Sequence, residues 1–585
     1  MSSAAVVTLV VVLIMVAALV RESVAPAIAV VTAMISLLLL GIIDARSALA
    51  GFSNPAPITV AALFVLARAV EKTGALQPFV SATLSARGDP RHGLFGMLVP
   101  TALASAVFNN TPIVAMLVPQ VSTWARRHGR SVALYLMPIS FAAILGGMVT
   151  LVGTSTNLIV SGLLEESGQA PLGMFEMSGV GGPVALLGLA VVALLAPRIL
   201  AVRRGPLESF DESYREYTVE MEVEPGGPVD RVTVERAGLR HLQGVFLAWV
   251  GRAGEVLAPV GPEETLLGGD TLGFVGRADL IVDLQAVRGL RSAEHKHADA
   301  FRDEKHNFFE GVISPLSPLV GKTLVESDFR EQYGAAVLAV HRAGSRVREK
   351  LGTVRLRPGD TLLLLSDQGF RERWRDRRDF LLVAGLDGTL PVSSRRGVLV
   401  LSTAAAVVIL AAVGVLPVLN GALAGAVLMV ASGTLTPHEA RNALNLDVLL
   451  VIAAAFGIGA AIEQSGLASA LAAGLVAPAA VMGPAGALLA VVLSTVVLTE
   501  LITNNAAAVL MFPVAIAAAG TVGGDPRSFA IAVALAASAS FLTPIGYQTN
   551  TMVYGPGGYR FLDYARLGAP LTVIVVAVIT LLLIP

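Results

Sequence analysis

The chain has 585 residues, of which 54% are apolar and only 15% charged, and its mean hydropathy is +0.72. Soluble chains carry about 25% charged residues, so an ordinary soluble globular protein is excluded. The 42 basic and 43 acidic residues leave a net charge of −1, no field to gather nucleic acid, and the lack of cysteine excludes disulfides, thiolate zinc sites and iron–sulfur clusters.

In chain order, apolar runs at Val6–Val20 and Val24–Leu40 each approach the ~20 residues that cross a bilayer. No basic residue precedes the first run, so Met1–Val20 reads as a transmembrane helix, not a cleaved signal. Leu94–Trp124 is apolar with a polar cluster midway, Phe108-Asn109-Asn110-Thr111-Pro112. Proline and paired asparagines halt a helix, which predicts a re-entrant hairpin with a polar tip. Irregular backbone at membrane depth is tolerated only inside protein or beside an aqueous cavity. Gly146 to Asn157 is rich in glycine and hydroxyls within apolar flanks and predicts a helix unwound in its middle. Val180–Leu195 supplies a further span.

Residues from about 201 to 395 are polar and charged, between Arg198, Arg203 and Arg204 on one side and Arg395 and Arg396 on the other. Flanking positive charge places this insert in the cytoplasm. An uncharged start then implies an outside N-terminus and an odd number of crossings before the insert. Within it, Leu267–Gly276 and Arg357–Ser366 each carry a Gly-Asp turn followed by alternating apolar residues, a repeated strand signal. Leu319–Leu324 is expected to open a helix and Ala336–Val340 to form another strand. His341 and the run Arg371–Arg378 are expected on the solvated surface. No strand-linked Gly-x-Gly-x-x-Gly occurs, so a dinucleotide domain is not expected.

The last block, 396–585, opens with the apolar run Val398–Leu416 and repeats the first. Ala45–Leu49 recurs as Ala440–Leu444, and Glu71-Lys72-Thr73-Gly74 as Glu463-Gln464-Ser465-Gly466. Asn110, nine residues before Pro119, recurs as Asn504, nine before Pro513; Thr150, Gly153 and Asn157 recur as Thr543, Gly546 and Asn550. The offsets run only from 392 to 395. A repeat with an odd number of crossings is inverted in the membrane, an arrangement typical of secondary transporters with a site near the midplane. The expected fold is thus an α-helical polytopic membrane protein. It has two inverted repeats (1–200 and 396–585), re-entrant hairpins, unwound helices and a soluble α+β cytoplasmic insert. Gly486–Ala519 carries the second polar tip, Ile502-Thr503-Asn504-Asn505-Ala506, and Ser540–Thr551 the second unwound helix.

Neither motif set contains Lys or Arg. An anion there would rely on amide and hydroxyl donors, helix N-termini and bound cations. Glu500 stands alone as an acidic residue near the second tip, either ion-paired or interfacial, or a cation or proton ligand.

At these residues the chain resembles the divalent-anion/sodium symporters, the sodium-dicarboxylate and sulfate cotransporters of the ion transporter superfamily. That family carries Ser-Asn-Thr at each hairpin tip. Asn109-Asn110-Thr111 departs from it at the first residue, and Thr503-Asn504-Asn505 lacks the closing threonine. The second departure leaves sulfate or another small oxyanion as open as a dicarboxylate. The resemblance implies one sodium site from Ser105, Asn109, Asn110 and Gly153, and another from Thr499, Thr503, Asn504 and Gly546. It implies substrate held between Asn110, Thr111, Thr154, Asn504, Asn505, Thr543 and Pro544. It further implies a homodimer in the cell membrane, with sodium as coupling ion and no organic cofactor. The insert resembles two TrkA C-terminal-like domains, 201–290 and 291–395. The other readings are an oxyanion exporter, a cation/proton antiporter using Glu500, and a potassium channel or its regulator. A channel lacks support because no Thr-Val-Gly-Tyr-Gly-like filter occurs, and no nucleophile or metal-ligand set supports an enzyme.

Overall fold

A computed structural model describes residues 1–21, 24–75, 90–128, 130–200, 218–239, 245–252, 255–257, 260–276, 288–292, 308–314, 317–342, 345–347, 351–367, 369–374, 377, 379–385, 395–479 and 483–584. Arg203 and Arg204, expected to flank the insert, and part of the run Arg371–Arg378 lie outside them.

Among the described residues the protein is mostly helical, a multi-span membrane protein with seven helical segments long and apolar enough to cross a bilayer. The first block runs through helices Ser3–Val20, Pro26–Leu39, Ala45–Ser53, Pro55–Thr73, Pro90–Ser105, Asn110–Arg127, Ala133–Gly147, Ser155–Glu166 and Ser178–Ile199. The second runs through Arg395–Ala412, Val418–Ala431, Pro437–Ala443, Leu446–Gln464, Leu467–Ala479, Gly483–Leu501, Asn504–Val522, Pro526–Ser538, Gln548–Tyr554 and Phe561–Leu583.

The same punctuation shapes both blocks. Asp44 caps Ala45–Ser53 by accepting from the Ser47 N–H, and Thr436 with Glu439 forms a capping box at Pro437–Ala443. Asn54 and Asn445 cap the long helices that follow. Each side-chain oxygen satisfies a backbone donor that the helix leaves unpaired, typically worth about 1 kcal/mol.

Helices also change partners between blocks. Pro26–Leu39 and Ala45–Ser53 pack on Leu446–Gln464, while Val418–Ala431 and Pro437–Ala443 pack on Pro55–Thr73. Ser155–Glu166 lies against Asn504–Val522 and Pro526–Ser538; Gln548–Tyr554 lies against Asn110–Arg127 and Ala133–Gly147. One large apolar cluster runs through both blocks. Tyr559 reinforces the join: its hydroxyl accepts from Met137 N (2.8 Å) and donates to Ala133 O (2.5 Å) in the turn before Pro138.

Two small antiparallel sheets stand between the blocks. The first contains β1 (Thr218–Val223), β2 (Val245–Arg252), β3 (Glu255–Leu257), β4 (Thr271–Gly276) and β5 (Leu290–Ser292), in the order β3-β2-β4-β1-β5. The second contains β6 (Phe308–Ile313), β7 (Ala335–Arg342), β8 (Ser345–Arg346), β9 (Thr361–Ser366) and β10 (Phe380–Gly385), in the order β10-β6-β9-β7-β8. β4 and β9 are the strands predicted after the two Gly-Asp turns, and β7 is the one predicted at Ala336–Val340. Asp270 and Asp360 play matching parts at the turns. Arg252 donates to Asp270 and to the Thr265 carbonyl, Arg342 to Asp360 and to the Arg355 carbonyl.

Two expectations for the insert need correction. Leu319–Leu324 forms turns, with Gly321 at φ +79°, a conformation that interrupts a right-handed helix; the helix is Phe329–Tyr333. His341 is buried, because β7 is covered on both faces. Arg373 and Arg377 are exposed as expected, with Arg373 paired to Asp367 and Arg377 lying over the Trp374 ring.

The second sheet touches the helical part. A Cβ on Gly555 would fall 1.6 Å from Thr361 Oγ1, and Gly359 faces Thr551 and Tyr554. Val312 belongs to the main apolar cluster, and Leu381 packs against it.

Candidate functional site

Each polar tip is the break between two helices: Pro90–Ser105 to Asn110–Arg127, and Gly483–Leu501 to Asn504–Val522. The break comes from capping chemistry as much as from proline. Pro112 sits in the first turn of its helix, where its missing N–H costs nothing, and Thr503 caps the second by accepting from Ala506 N (3.4 Å).

The two glycine-rich stretches are unwound. Residues 148–154 separate Ala133–Gly147 from Ser155–Glu166, and 539–547 separate Pro526–Ser538 from Gln548–Tyr554. An asparagine amide bridges each break. Asn157 Nδ2 donates to Gly147 O (3.1 Å) and Thr150 O (2.8 Å); Asn550 Nδ2 donates to Ser540 O (2.9 Å) and Thr543 O (3.4 Å). Buried carbonyls freed from a helix require such donors, which explains an amide at both positions.

Asn110 is buried at 1% exposure. Its Oδ1 accepts from the Ser105 hydroxyl, and its Nδ2 donates to Tyr547 Oη (2.6 Å). Tyr547 Oη also lies 3.3 Å from Thr154 Oγ1, and Thr111 donates to Gln548 Oε1 (3.2 Å). Gly147 faces the Asn110 amide and packs on Gly153, so that a Cβ on Gly153 would come within 2.6 Å of Gly147 O. Asn109 is half-buried at the tip. Ser105, Asn110, Gly153 and Thr154 therefore converge, with Tyr547 from the other block.

At the second tip the exchange runs the other way. Asn504 Nδ2 donates to Thr156 Oγ1 (2.9 Å), while Asn505 Oδ1 accepts from Ser155 Oγ (3.0 Å) and Thr156 Oγ1 (3.1 Å). Thr503 is exposed, and Thr499 is buried with its hydroxyl on Ala537 O (2.6 Å). Pro544 is buried, and its carbonyl accepts from the Thr551 hydroxyl (2.8 Å). Glu500 accepts from Phe541 N, Leu542 N and the Thr543 hydroxyl, each at 2.8 Å, and Thr543 Oγ1 in turn accepts from Gly546 N (3.1 Å). Of the two sequence readings of Glu500, an ion pair is absent among the described residues. The structure brings Glu500, Thr543 and Gly546 together and leaves Thr503 at the rim.

Sequence reasoning missed Tyr547, Ser155 and Thr156. The signal for Tyr547 was available, since it lies at the same repeat offset from Thr154 as Gly546 does from Gly153. Among the described residues no cluster of acidic and histidine side chains could hold a transition metal. Each tip is a set of amide and hydroxyl groups, and no Lys or Arg among the described residues joins its hydrogen bonds.

Comparison with known proteins shows the family. The family profile described as citrate transporter matches residues 9–527. The chain is 36% identical over 94% of its length to the "Putative sulfur deprivation response regulator" of Chlamydomonas reinhardtii, covering 97% of that protein. It is 35% identical over 93% of its length to an uncharacterized transporter of Synechocystis, covering 91% of it. Identity falls to 25% with "Probable sodium/sulfate cotransporter 3" of Chlamydomonas reinhardtii, over 93% of this chain and 84% of that one. These likenesses set aside the potassium channel. The chain belongs to the citrate transporter family: it is a multi-pass secondary transporter related to the sodium/sulfate cotransporters, and not an enzyme.

Proposed function

We propose that the protein imports a small divalent anion, sulfate or a di- or tricarboxylate, driven by a sodium gradient. The observation that carries this reading is the reciprocal exchange at the tips. Asn110 of one hairpin bonds Tyr547 of the other block, and Asn504 and Asn505 bond Ser155 and Thr156 of the first. Amide and hydroxyl groups from both blocks thus meet at each tip, and among the described residues no Lys or Arg joins their hydrogen bonds. A dianion held there lacks a fixed positive partner, and a co-bound cation supplies it. Relatives named as sodium/sulfate cotransporters support sodium as that cation.

On this reading the blocks 1–200 and 396–585 are inverted repeats whose hairpins enter from opposite faces and meet near the midplane. Asn110, Thr111, Thr154, Asn504, Asn505, Thr543 and Pro544 line the anion's place. Sodium sits at Ser105, Asn109, Asn110 and Gly153, and at Thr499, Thr503, Asn504 and Gly546. The insert, two TrkA C-terminal-like domains at 201–290 and 291–395, faces the cytoplasm, as Arg198 and Arg396 at its borders favour. The protein works as a homodimer in the cell membrane.

The test is uptake of radiolabelled sulfate, succinate and citrate into proteoliposomes with and without an inward sodium gradient. Sodium-dependent uptake of one anion supports the reading and names the substrate. Uptake that ignores sodium, or no uptake of any of the three, overturns it.

A further inference from the structure

The two tips share a plan and differ in what they leave open. At the first, the Asn110 amide is engaged at both ends: Oδ1 accepts from Ser105, and Nδ2 donates to Tyr547 Oη (2.6 Å). The Thr111 hydroxyl donates to Gln548 Oε1 (3.2 Å). Both polar side chains that open helix Asn110–Arg127 are thus spent on the other block. At the second tip, Asn505 is 7% exposed and its Oδ1 takes the Ser155 and Thr156 hydroxyls. Its Nδ2 bonds nothing among the described residues. A buried amide nitrogen is a donor that needs an acceptor.

The difference traces to one residue. The repeat offset of 393 sets Tyr547 against Thr154. At the second tip the hairpin meets the small side chains of Ser155 and Thr156; at the first it meets a tyrosine. Tyr547 is 7% exposed, and its hydroxyl lies between Asn110 Nδ2 and Thr154 Oγ1 (3.3 Å). A buried phenol ring tethered at its far end is a fixed wall. Thr154, the N-cap of Ser155–Glu166, turns to Tyr547 and gives that helix no side-chain cap. The Asn505 amide lies at this uncapped helix start, a place that favours negative charge.

An anion with two separated carboxylates needs a donor set for each end. A compact tetrahedral dianion gathers its oxygens around one centre and needs a single set. With the first tip closed by Tyr547, the open donor is the one at Asn505.

We infer that Tyr547 sets the size of the transported anion, closing the first tip so that a tetrahedral dianion is selected over a di- or tricarboxylate. The inference rests on the anion-import reading above and narrows its substrate class. The ring of Tyr547 determines specificity, and its hydroxyl positions the Asn110 amide.

The test uses proteoliposomes carrying the full-length protein under an inward sodium gradient. Uptake of radiolabelled sulfate or succinate is measured against unlabelled sulfate, selenate, succinate and citrate. Selenate should compete about as well as sulfate, and succinate and citrate about 100-fold less well. Tyr547→Thr, which copies Thr154, should narrow the gap between sulfate and succinate by about tenfold. Tyr547→Phe keeps the ring, so sulfate should bind more weakly while the ratio holds. A residue that only supported the fold would lower uptake of every anion together. If Tyr547→Thr does not yield folded protein, Tyr547→Leu reads the same ratio. Preference of the unaltered protein for succinate or citrate, or an unchanged ratio in the smaller variant, overturns the inference and leaves sodium-driven import standing. No sodium-driven uptake of sulfate, succinate or citrate overturns both.

Discussion

The two unwound stretches are built on one plan and finished differently. Thr150, Gly153 and Asn157 stand where Thr543, Gly546 and Asn550 stand, and each asparagine bridges two carbonyls across its break. These residues shape the backbone, and both halves keep them. Residues facing the gap differ: Ala106 against Glu500, Gly147 against Ser540, Thr154 against Tyr547. In the first half a threonine hydroxyl closes on a backbone carbonyl; in the second it closes on a carboxylate. The shared residues hold the backbone frame, and the differing ones set a neutral surround in the first block against a carboxylate in the second.

The largest expected effect comes from testing how rigid the two frames are. Gly153→Ala drives a methyl group against the Gly147 backbone, which cannot turn aside. It should destabilise the fold by about 3 kcal/mol and reduce recovered protein. Gly546→Ala meets side-chain oxygens that can rotate, so it should fold better and lose sodium response instead. Equal thermal stability of the two variants in detergent would break the comparison.

Next come the tip amides. Asn110→Ala and Asn504→Ala should each lower uptake by about 100-fold, the consequence of leaving buried polar partners unpaired. Only Asn110→Ala should also lower thermal stability markedly, since Asn110 is the more deeply buried and bonds both Ser105 and Tyr547. Normal uptake by both variants would remove the tip site altogether.

Tyr547→Phe should have a smaller and more selective effect. It deletes the hydroxyl shared by Asn110 and Thr154. The anion concentration for half-maximal uptake should rise by about tenfold, with sodium half-saturation little changed. A larger shift in sodium than in anion would show that the neutral pocket serves the cation too.

The smallest effect belongs to the Lys72–Glu439 pair (2.6 Å), which ties the two blocks at a partly exposed position. Partial burial would raise the Glu439 carboxyl, but the Lys72 ammonium and the Thr436 donors outweigh it and hold it at about 2. A lowered carboxyl stabilises the fold above its unfolded value near 4.5, and this contribution fades as pH falls towards 2. Solvent screening keeps it to roughly 0.5 kcal/mol. Glu439→Gln should therefore shift the melting temperature slightly at pH 7 and not at all near pH 2.

The tips, the broken helices and strands β4, β7 and β9 were legible because their signals are local. A polar cluster within an apolar run, or a Gly-Asp turn before alternating residues, needs no knowledge of neighbours. The exchange between blocks was not legible. Nothing near Ser155 or Thr156 in the chain announces that Asn505, about 350 residues away, accepts from both. Glu500 could be read from sequence as an ion pair because its partners are backbone N–H groups, which carry no residue signature. His341 was misplaced for a related reason: a strand covered on both faces has no outward side for alternation to reveal. At Leu319–Leu324, expected to open a helix, one glycine with positive φ interrupts it.

The seat of Gly555 against Thr361 is too close for any side chain at that position. Gln548–Tyr554 leads into that seat at one end and follows Tyr547 at the other. The second sheet is thereby geared to the segment that holds the tip of the first hairpin. If that segment shifts during transport, the sheet must travel with it or let go, and letting go exposes Val312 and Leu381. Whatever loads the sheet changes the work of that shift, and by thermodynamic reciprocity the state of the tip changes how the sheet is loaded.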